Sequence, residues 1–459
     1  MLRLALGVGL LIVVGCGTTK NPNFCCITAE DCQQAGEIEL SPCAEGLACI
    51  DRTCVPSSCA MEGCTSDAPV CETATDRCVG CSGPADCARF SAMLVCDVDG
   101  GGSCVECVGD GDCPSNEPIC DAKQCRVCEN DGECPSGACG EDGACVPEAN
   151  VVYLASDGVD DVPCSKTMPC KQLEFGIRQT TTTRNHIAFA PGTYQAPLRP
   201  HDFGSTQTTA TSVVVHGHGA VIRGGSDDGF LRIGIPTTIR DLEIENQTVG
   251  SSYALGALVM TKLERVTLRG DTGMSITGGV VAEDLTIVAG TIGIATSGSL
   301  TINRARISGG QNAIQSTNGA VDITNMIAFG TTGTTVDLVG TSGTIAFSTV
   351  YNRSGTASPP GMHCQGPATI RASIIWTPVQ TQTIGYTGAC ALSTSLVGPV
   401  SVAGGTNTDP LFVNADAGNF HLSGGSPARD MAPSGPSTDA DGDPRPNGPG
   451  FDFGADEIQ

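Results

Sequence analysis

Between residues 239 and 375 the chain repeats one six-residue phrase seven times: apolar, two intervening residues, apolar, one intervening residue, apolar. It begins as Ile239-Arg-Asp-Leu-Glu-Ile244, Leu263-Glu-Arg-Val-Thr-Leu268 and Ala282-Glu-Asp-Leu-Thr-Ile287. Ile302-Asn-Arg-Ala-Arg-Ile307, Ile323-Thr-Asn-Met-Ile-Ala328, Ile345-Ala-Phe-Ser-Thr-Val350 and Ile370-Arg-Ala-Ser-Ile-Ile375 follow. Successive starts lie 24, 19, 20, 21, 22 and 25 residues apart. That period belongs to stacked solenoid coils.

Two residues upstream of each phrase lies a further inward slot: Thr237, Thr261, Val280, Leu300, Val321, Gly343 and Ala368. The unit therefore reads in-out-in, a two-residue corner, then in-out-in. Period-2 alternation means a strand with one buried face, and the corner shifts parity by one, so both strands address one interior. Val, Ile and Thr dominate, as strands prefer. Gly/Ser/Thr-rich stretches such as 270–279 and 290–298 fill the rest of each coil. No coil can bury its inner face alone, so the coils must stack in parallel. The second corner residues run Asp241, Arg265, Asp284, Arg304, Asn325. In register they form an alternating charge ladder; out of register they are solvated corners.

Composition divides the chain. Residues 25–150 hold 22 of the 27 cysteines, with 24 acidic and 5 basic residues; residues 151–459 hold 25 acidic and 17 basic ones. A net charge of −25 excludes nucleic acid as a partner, since such binders need clustered Lys and Arg. It also disfavours a polyanionic sugar unless calcium bridges the like charges. With 4% aromatics and a single Trp, Trp376, no stacking platform for sugars or bases is evident.

Residues 1–15 read as an export signal: Arg3, an apolar run from Leu4 to Val14, then Gly15. The run is too short for a permanent span. Val13-Val14-Gly15-Cys16 resembles the lipobox of bacterial lipoproteins. That resemblance implies cleavage before Cys16, lipidation of Cys16 and a membrane anchored through it. Gly17, where an aspartate would retain such a protein at the inner membrane, implies the outer membrane, on its surface or periplasmic face. Residues 16–24 form a tether.

Residues 25–150 carry a four-cysteine repeat. Cys81-Cys87-Cys96-Cys104, Cys107-Cys113-Cys120-Cys125 and Cys128-Cys134-Cys139-Cys145 are the clearest units. Cys59-Cys64-Cys71-Cys78 and, more loosely, Cys26-Cys32-Cys49-Cys54 fit the same scheme, which leaves Cys25 and Cys43 as a further pair. Four cysteines allow three pairings, and spacing does not choose among them. Zinc is disfavoured, because the Cys-x-x-Cys steps fall between units, the segment lacks His and an exported chain meets an oxidising compartment. Units this small need staples. The acidic pairs Asp110/Asp112 and Asp131/Glu133 read as solvated turn residues rather than calcium ligands. The segment resembles cysteine-rich stalks on large secreted bacterial proteins.

The region 151–459 opens with a strand, Val151-Val-Tyr-Leu-Ala-Ser156, then Cys164 and Cys170 in a local disulfide loop. A short helix follows, with Leu173 and Ile177 on one face, and His186-Ile-Ala-Phe-Ala-Pro-Gly-Thr-Tyr194 returns to strand. Near the end come Asp409-Pro-Leu-Phe-Val413, Asn419-Phe-His-Leu422, Gly425-Ser-Pro-Ala-Arg-Asp430 and Asp452-Phe-Gly-Ala-Asp-Glu457. Both ends resemble right-handed parallel β-helix domains of the pectin-lyase-like superfamily, with a capping helix and a C-terminal closing segment. The fold expected is thus all-β: a right-handed single-stranded parallel β-helix after a small disulfide-rich repeat region. Cys364 and Cys390, the last pair, stand about one coil apart and suit a staple between neighbouring turns.

Polysaccharide lyases and hydrolases use this fold. Fragments of the polygalacturonase-like pattern occur as Gly217-His218-Gly219, Asp227-Asp228, Arg232-Ile233-Gly234 and Asn407-Thr408-Asp409, but out of order and without the lysine. Asp241, Glu243, Glu245, Glu264, Glu283 and Asp284, with Arg240, Arg265 and Arg304, are candidates for a calcium-dependent lyase site, although solvated outward charge is their default. His216 and His218 lack an evident third ligand, so no metal is expected there. Asp439-Ala-Asp-Gly-Asp443 has the alternate aspartates of a calcium loop without its distal Glu, and reads as a polar turn. No cofactor is expected, and calcium is the one ion with any claim. Two readings follow. In the first, a lipid-anchored envelope protein presents a β-helix rod for glycan or protein binding and adhesion, without a catalytic site. In the alternative, a polysaccharide lyase or glycosidase carries an unrecognised site on the β-helix face.

Overall fold

A computed structural model describes residues 63–459 apart from 161–162, 197–200, 205–206, 249, 251, 331, 354–359 and 379–384; before residue 63 it describes 47–50, 53–56 and 59. Residues 1–24, read above as an export signal and a tether beginning at Cys16, lie outside the described residues. Two compact units are present, Met1–Val127 and Cys128–Gln459. Composition puts the division at 150/151. The structure puts it at 127/128, because the last four-cysteine repeat packs on the first coils of the solenoid.

Each described repeat is a hairpin whose third and fourth cysteines face each other, as Cys71 faces Cys78, Cys96 faces Cys104 and Cys120 faces Cys125. Disulfides join first to third and second to fourth: Cys59–Cys71 and Cys64–Cys78, Cys81–Cys96 and Cys87–Cys104, Cys107–Cys120 and Cys113–Cys125. Cys128–Cys139 and Cys134–Cys145 repeat the interleaved scheme in the second unit. The acidic pairs help fold the repeats. Asp110 Oδ1 accepts the Cys120 N–H, and Asp112 Oδ2 accepts those of Val108 and Gly109.

The second unit is a parallel β-solenoid. Ile239, Leu263, Ala282, Ile302, Ile323, Ile345 and Ile370 are successive register partners. On the next face Ile244, Leu268, Ile287, Ile307, Ala328, Val350 and Ile375 stack in the same way. All fourteen are buried. Its parallel crossovers are of the kind for which the right-handed sense is the rule.

The corner between these faces is a left-handed residue in every phrase: Asp241, Arg265, Asp284, Arg304, Asn325, Phe347 and Ala372 have φ between 46° and 60°. That conformation costs an L-residue about 1–2 kcal/mol, so neighbouring coils must hold it. The Arg265 N–H donates to the Glu283 carbonyl and that of Ala372 to the Thr394 carbonyl, each on the following coil. In the last coils Ser348, Ser373 and Ser395 follow the corner. The backbone N–H of Ser348 donates to Ser373 Oγ, and that of Ser373 to Ser395 Oγ.

The Gly/Ser/Thr-rich stretches are not mere filler. They form a third parallel face, including Leu231–Ile233, Tyr253–Ala257, Asn312–Thr317, Val336–Val339 and Met362–Gln365. Met274, Ile276 and Ile294 fill its interior side. At the first coils the short helix Leu173–Arg178 buries Leu173 and Ile177, and Cys164 is joined to Cys170. Cys364–Cys390 ties two neighbouring coils.

The closing segment lies along the flank of the later coils. From residue 327 onward the outward slots of the second face turn apolar, and Ile327, Tyr351 and Trp376 are covered by Phe420, Leu422 and Phe453. Gly454 donates its N–H to the Ala372 carbonyl and Ala455 to Thr349 Oγ1. Four buried carboxylates organise the segment through backbone N–H groups. Asp439 accepts from Asp441, Asp443 and Glu457, Asp452 from Asp430 and Ile458, Asp456 from Leu422, and Glu457 from Asn447 and Asp452. The 439–443 loop is thus a turn built on Asp439.

Replacing Ile307, fully buried, with Ala should lower the unfolding free energy by about 2–5 kcal/mol. Arg265→Ala, which breaks a half-exposed ion pair, should cost no more than about 1 kcal/mol. Urea unfolding followed by circular dichroism measures both; equal losses would mean that the ladder, not the core, carries the stack.

Candidate functional site

Every carboxylate named as a candidate lyase group is already paired. Arg265 grips Asp241 through both oxygens, at 2.6 and 2.7 Å, and Arg304 grips Asp284 at 2.6 and 2.8 Å while also reaching Glu283 at 2.8 Å. Glu243 pairs with Arg269, Glu245 with Arg223, and Glu264 with both Arg240 and Lys262. These are coil-to-coil ladders, each arginine reaching back to the preceding coil in the two corner pairs. Asp241 and Asp284 hold both corner arginines above their usual pKa, through the hydrogen bonds first and the charge second. The polygalacturonase-like fragments do not converge either: Asp409 Oδ1, for example, accepts the Leu411 N–H in the closing segment.

A different cluster forms where the Cys128–Cys145 repeat sits on the first coils. Relative to the next coil, the chain inserts residues between His216 and Ala220. Gly217-His218-Gly219 bulges there, with His218 at φ 50°. Both histidines turn towards Asp131, which belongs to the cysteine repeat and is 7% exposed. His216 Nδ1 lies 2.8 Å from Asp131 Oδ1, which also accepts the Cys139 N–H at 2.9 Å. On the far side of the His216 ring, Nε2 is 3.0 Å from His186 Nδ1. The carboxylate contact puts the His216 proton on Nδ1, so His186 donates to Nε2, and the chain runs His186 to His216 to Asp131. His218 donates Nδ1–H to the Phe189 carbonyl at 2.7 Å and turns Nε2 towards Asp131 Oδ2, 3.8 Å away.

Four further contacts fasten the repeat: Arg240 to the Cys139 carbonyl, Thr238 Oγ1 to Glu141, the Tyr153 hydroxyl to the Ser136 carbonyl and Lys166 to the Pro135 carbonyl. Beside them opens a cleft of about 520 Å³, walled by Pro135, Tyr153, Leu154, Phe189 and Pro191, with His218 as a polar lining group. Burial pushes the Asp131 carboxyl up, but the His216 hydrogen bond, the charges of His216 and His218 and the Cys139 N–H outweigh it and hold the group below its usual value. Burial pushes His186 down to about 4, with His216 and Arg240 adding to the effect. Chemically the arrangement is a buried carboxylate with one imidazole in contact and a second 3.8 Å away. Asp131, read from sequence as a solvated turn residue, is the buried partner that His216 and His218 appeared to lack. His186 carried no signal, being one strand residue among others.

No family model matches the chain, and no curated protein matches it. Among solved structures, the chain is similar to one titled "Crystal structure of pectate lyase Pel9A", at 12% identity and a TM-score of 0.43, covering 67% of this chain and 96% of that one.

The His186 shift has a definite sign. Between about pH 6.5 and 4 the unfolded chain takes up a proton that the folded imidazole refuses, so stability falls with pH across that window by at most about 3 kcal/mol. Below about pH 4 the Asp131 contribution is lost as well. Urea midpoints measured from pH 7 to 4 should show the decline, and His186→Gln should flatten its upper part; an unchanged slope in that variant would remove His186 from the account.

Proposed function

We propose that this chain is a lipid-anchored protein of the bacterial cell envelope, in which disulfide-paired repeats carry a solenoid that binds a glycan without cleaving it. The observation that carries this reading is the pairing of all six candidate carboxylates with arginines of their own or neighbouring coils. A lyase or glycosidase needs a carboxylate or base free to act on substrate, and here those side chains serve the stack.

The exposed side of the first face offers a surface suited to an extended sugar chain. Lys262, Val281, Thr301, Asp322 and Thr344 stand in register on five successive coils. Coil spacing sets them about 4.8 Å apart, a row of mostly polar side chains with one apolar member. Anchoring rests on the lipobox-like Val13-Val14-Gly15-Cys16, and outer-membrane placement on Gly17. The interleaved disulfides of the described repeats fit an oxidising compartment.

Expressed in a Gram-negative host fed a radiolabelled fatty acid, the wild-type chain should carry label and sediment with membranes, and Cys16→Ala should do neither. The soluble Cys16→Ala chain, applied to a glycan array, should retain polysaccharides, and a Thr301→Arg/Thr344→Arg variant should lose them. New unsaturated or reducing ends on incubation with a polysaccharide panel would overturn the non-catalytic reading.

A further inference from the structure

The flank segment holds a second cluster that the proposed function does not use. His421 Nδ1 lies 2.7 Å from Asp456 Oδ1 and 3.8 Å from Asp441 Oδ2, and ligand atoms of all three residues fall within 4.8 Å of one another. Two ligands on a tetrahedral ion with bonds of about 2.0–2.1 Å stand about 3.3 Å apart, which the two separations bracket. The cysteine triplets that cluster comparably are sulfurs of disulfides.

We propose that His421, Asp441 and Asp456 form a site for one divalent transition-metal ion of the zinc type. The Asp456 side chain is held by a partner of its own, as ligating carboxylates are in metal sites, and the backbones that carry Asp441 and His421 are fixed by hydrogen bonds. Asp456 is 4% exposed, and its second oxygen accepts the Leu422 N–H at 2.6 Å. Asp441 projects from the turn that Asp439 builds by accepting the N–H groups of Asp441 and Asp443. His421 has its own N–H fixed on Asn419 Oδ1.

A cleft of about 230 Å³ opens on these side chains and is lined by His421, Asp441 and Asp456. It gives a bound ion room for water or an outside ligand in the fourth position, as in zinc sites with three protein ligands. Its guanidinium, Arg306, is engaged elsewhere, donating to the Gly418 carbonyl and lying over the rings of Phe329 and Phe420. Carboxylates therefore outnumber cations around the imidazole. Nitrogen donation with only two carboxylates suits zinc-type ions and not calcium, which takes six to eight oxygens. Bound, the ion would displace the Nδ1 proton and tie together three segments distant in sequence: the hairpin strand Asn419–Leu422, the 439–443 turn and the residues around Asp456.

The test uses the full chain without a histidine tag, carrying Cys16→Ser to remove the odd one of its 27 cysteines, with free thiols checked by titration. After chelator treatment, exposure to zinc and exhaustive dialysis, metal analysis should find about one zinc per chain. His421→Gln and Asp441→Asn, both at half-exposed positions, should bind at least ~10-fold more weakly, with circular dichroism unchanged. Zinc should raise the melting temperature of the parent chain and not of either variant. No retained zinc, retention unaltered in both variants, or displacement by an equal concentration of calcium would each overturn the assignment. Glycan binding is read separately, so failure here leaves the proposed function standing.

Discussion

A single left-handed residue in each coil is the constraint on which the solenoid depends. Without it, a strand continuing from Thr237 through Ile244 would alternate without a break, and Ile239 and Leu242 would point to opposite faces. The turn at Asp241, and at its successors down to Ala372, resets the parity so that both strands face one interior. The residues that adopt it include Arg, Phe and Ala, which have no intrinsic reason to. What holds them is the neighbouring coil. The corner N–H groups find carbonyls there, and the apolar columns on either side leave the backbone no other path. Local strain is thus offset by cooperative stacking, and one coil alone would not keep its corner.

The same stacking explains the charges. With arginine and aspartate alternating at the corner, each coil presents an opposite charge about 4.8 Å from its neighbour's. The pairs Arg265–Asp241 and Arg304–Asp284 are two-pronged, and such geometry specifies register more than it adds stability at an exposed surface. At residue 325 the alternation ends, because Asn325 turns to the Thr438 carbonyl of the closing segment. Where the flank is covered, apolar outward residues replace charged ones. Polar ladder and apolar seam are two answers to one question, which is whether the outside of a coil meets water or chain.

The stack was legible because its signal is periodic: seven phrases with the same parity shift admit few alternatives, and the in-register partners are the residues the phrase aligns. The third face was not, since its inward pairs, such as Met274 with Ile276 and Val336 with Leu338, are short and set among Gly, Ser and Thr without the corner phrase that marks the other two faces. Disulfide pairing within the repeats was beyond spacing, because the choice lies in which cysteines the hairpin sets opposite. The Asp131–His216 contact was beyond it as well. It joins residues from two differently composed segments, and the only local hint was a histidine pair flanked by glycines.

That contact also sets the limit of what composition says about domains. A buried carboxylate facing two imidazoles, one at 2.8 Å and the other at 3.8 Å, is costly to desolvate and is weak evidence for net stability. Its value is selective. Asp131 occupies the same slot in its repeat that Asp110 occupies in the preceding one, accepting the N–H of the third cysteine, Cys139 or Cys120. Both aspartates thus fold their own repeat, and Asp131 also meets histidines. The bulge at Gly217-His218-Gly219 is what brings His218 within reach, and the seven later corners from Asp241 to Ala372, a single left-handed residue each, have no such insertion. Repeat and coil therefore carry matched irregularities, an acid turned inward on one and an insertion on the other. Matched departures from two otherwise regular patterns specify where the repeat sits, as neither regular pattern could.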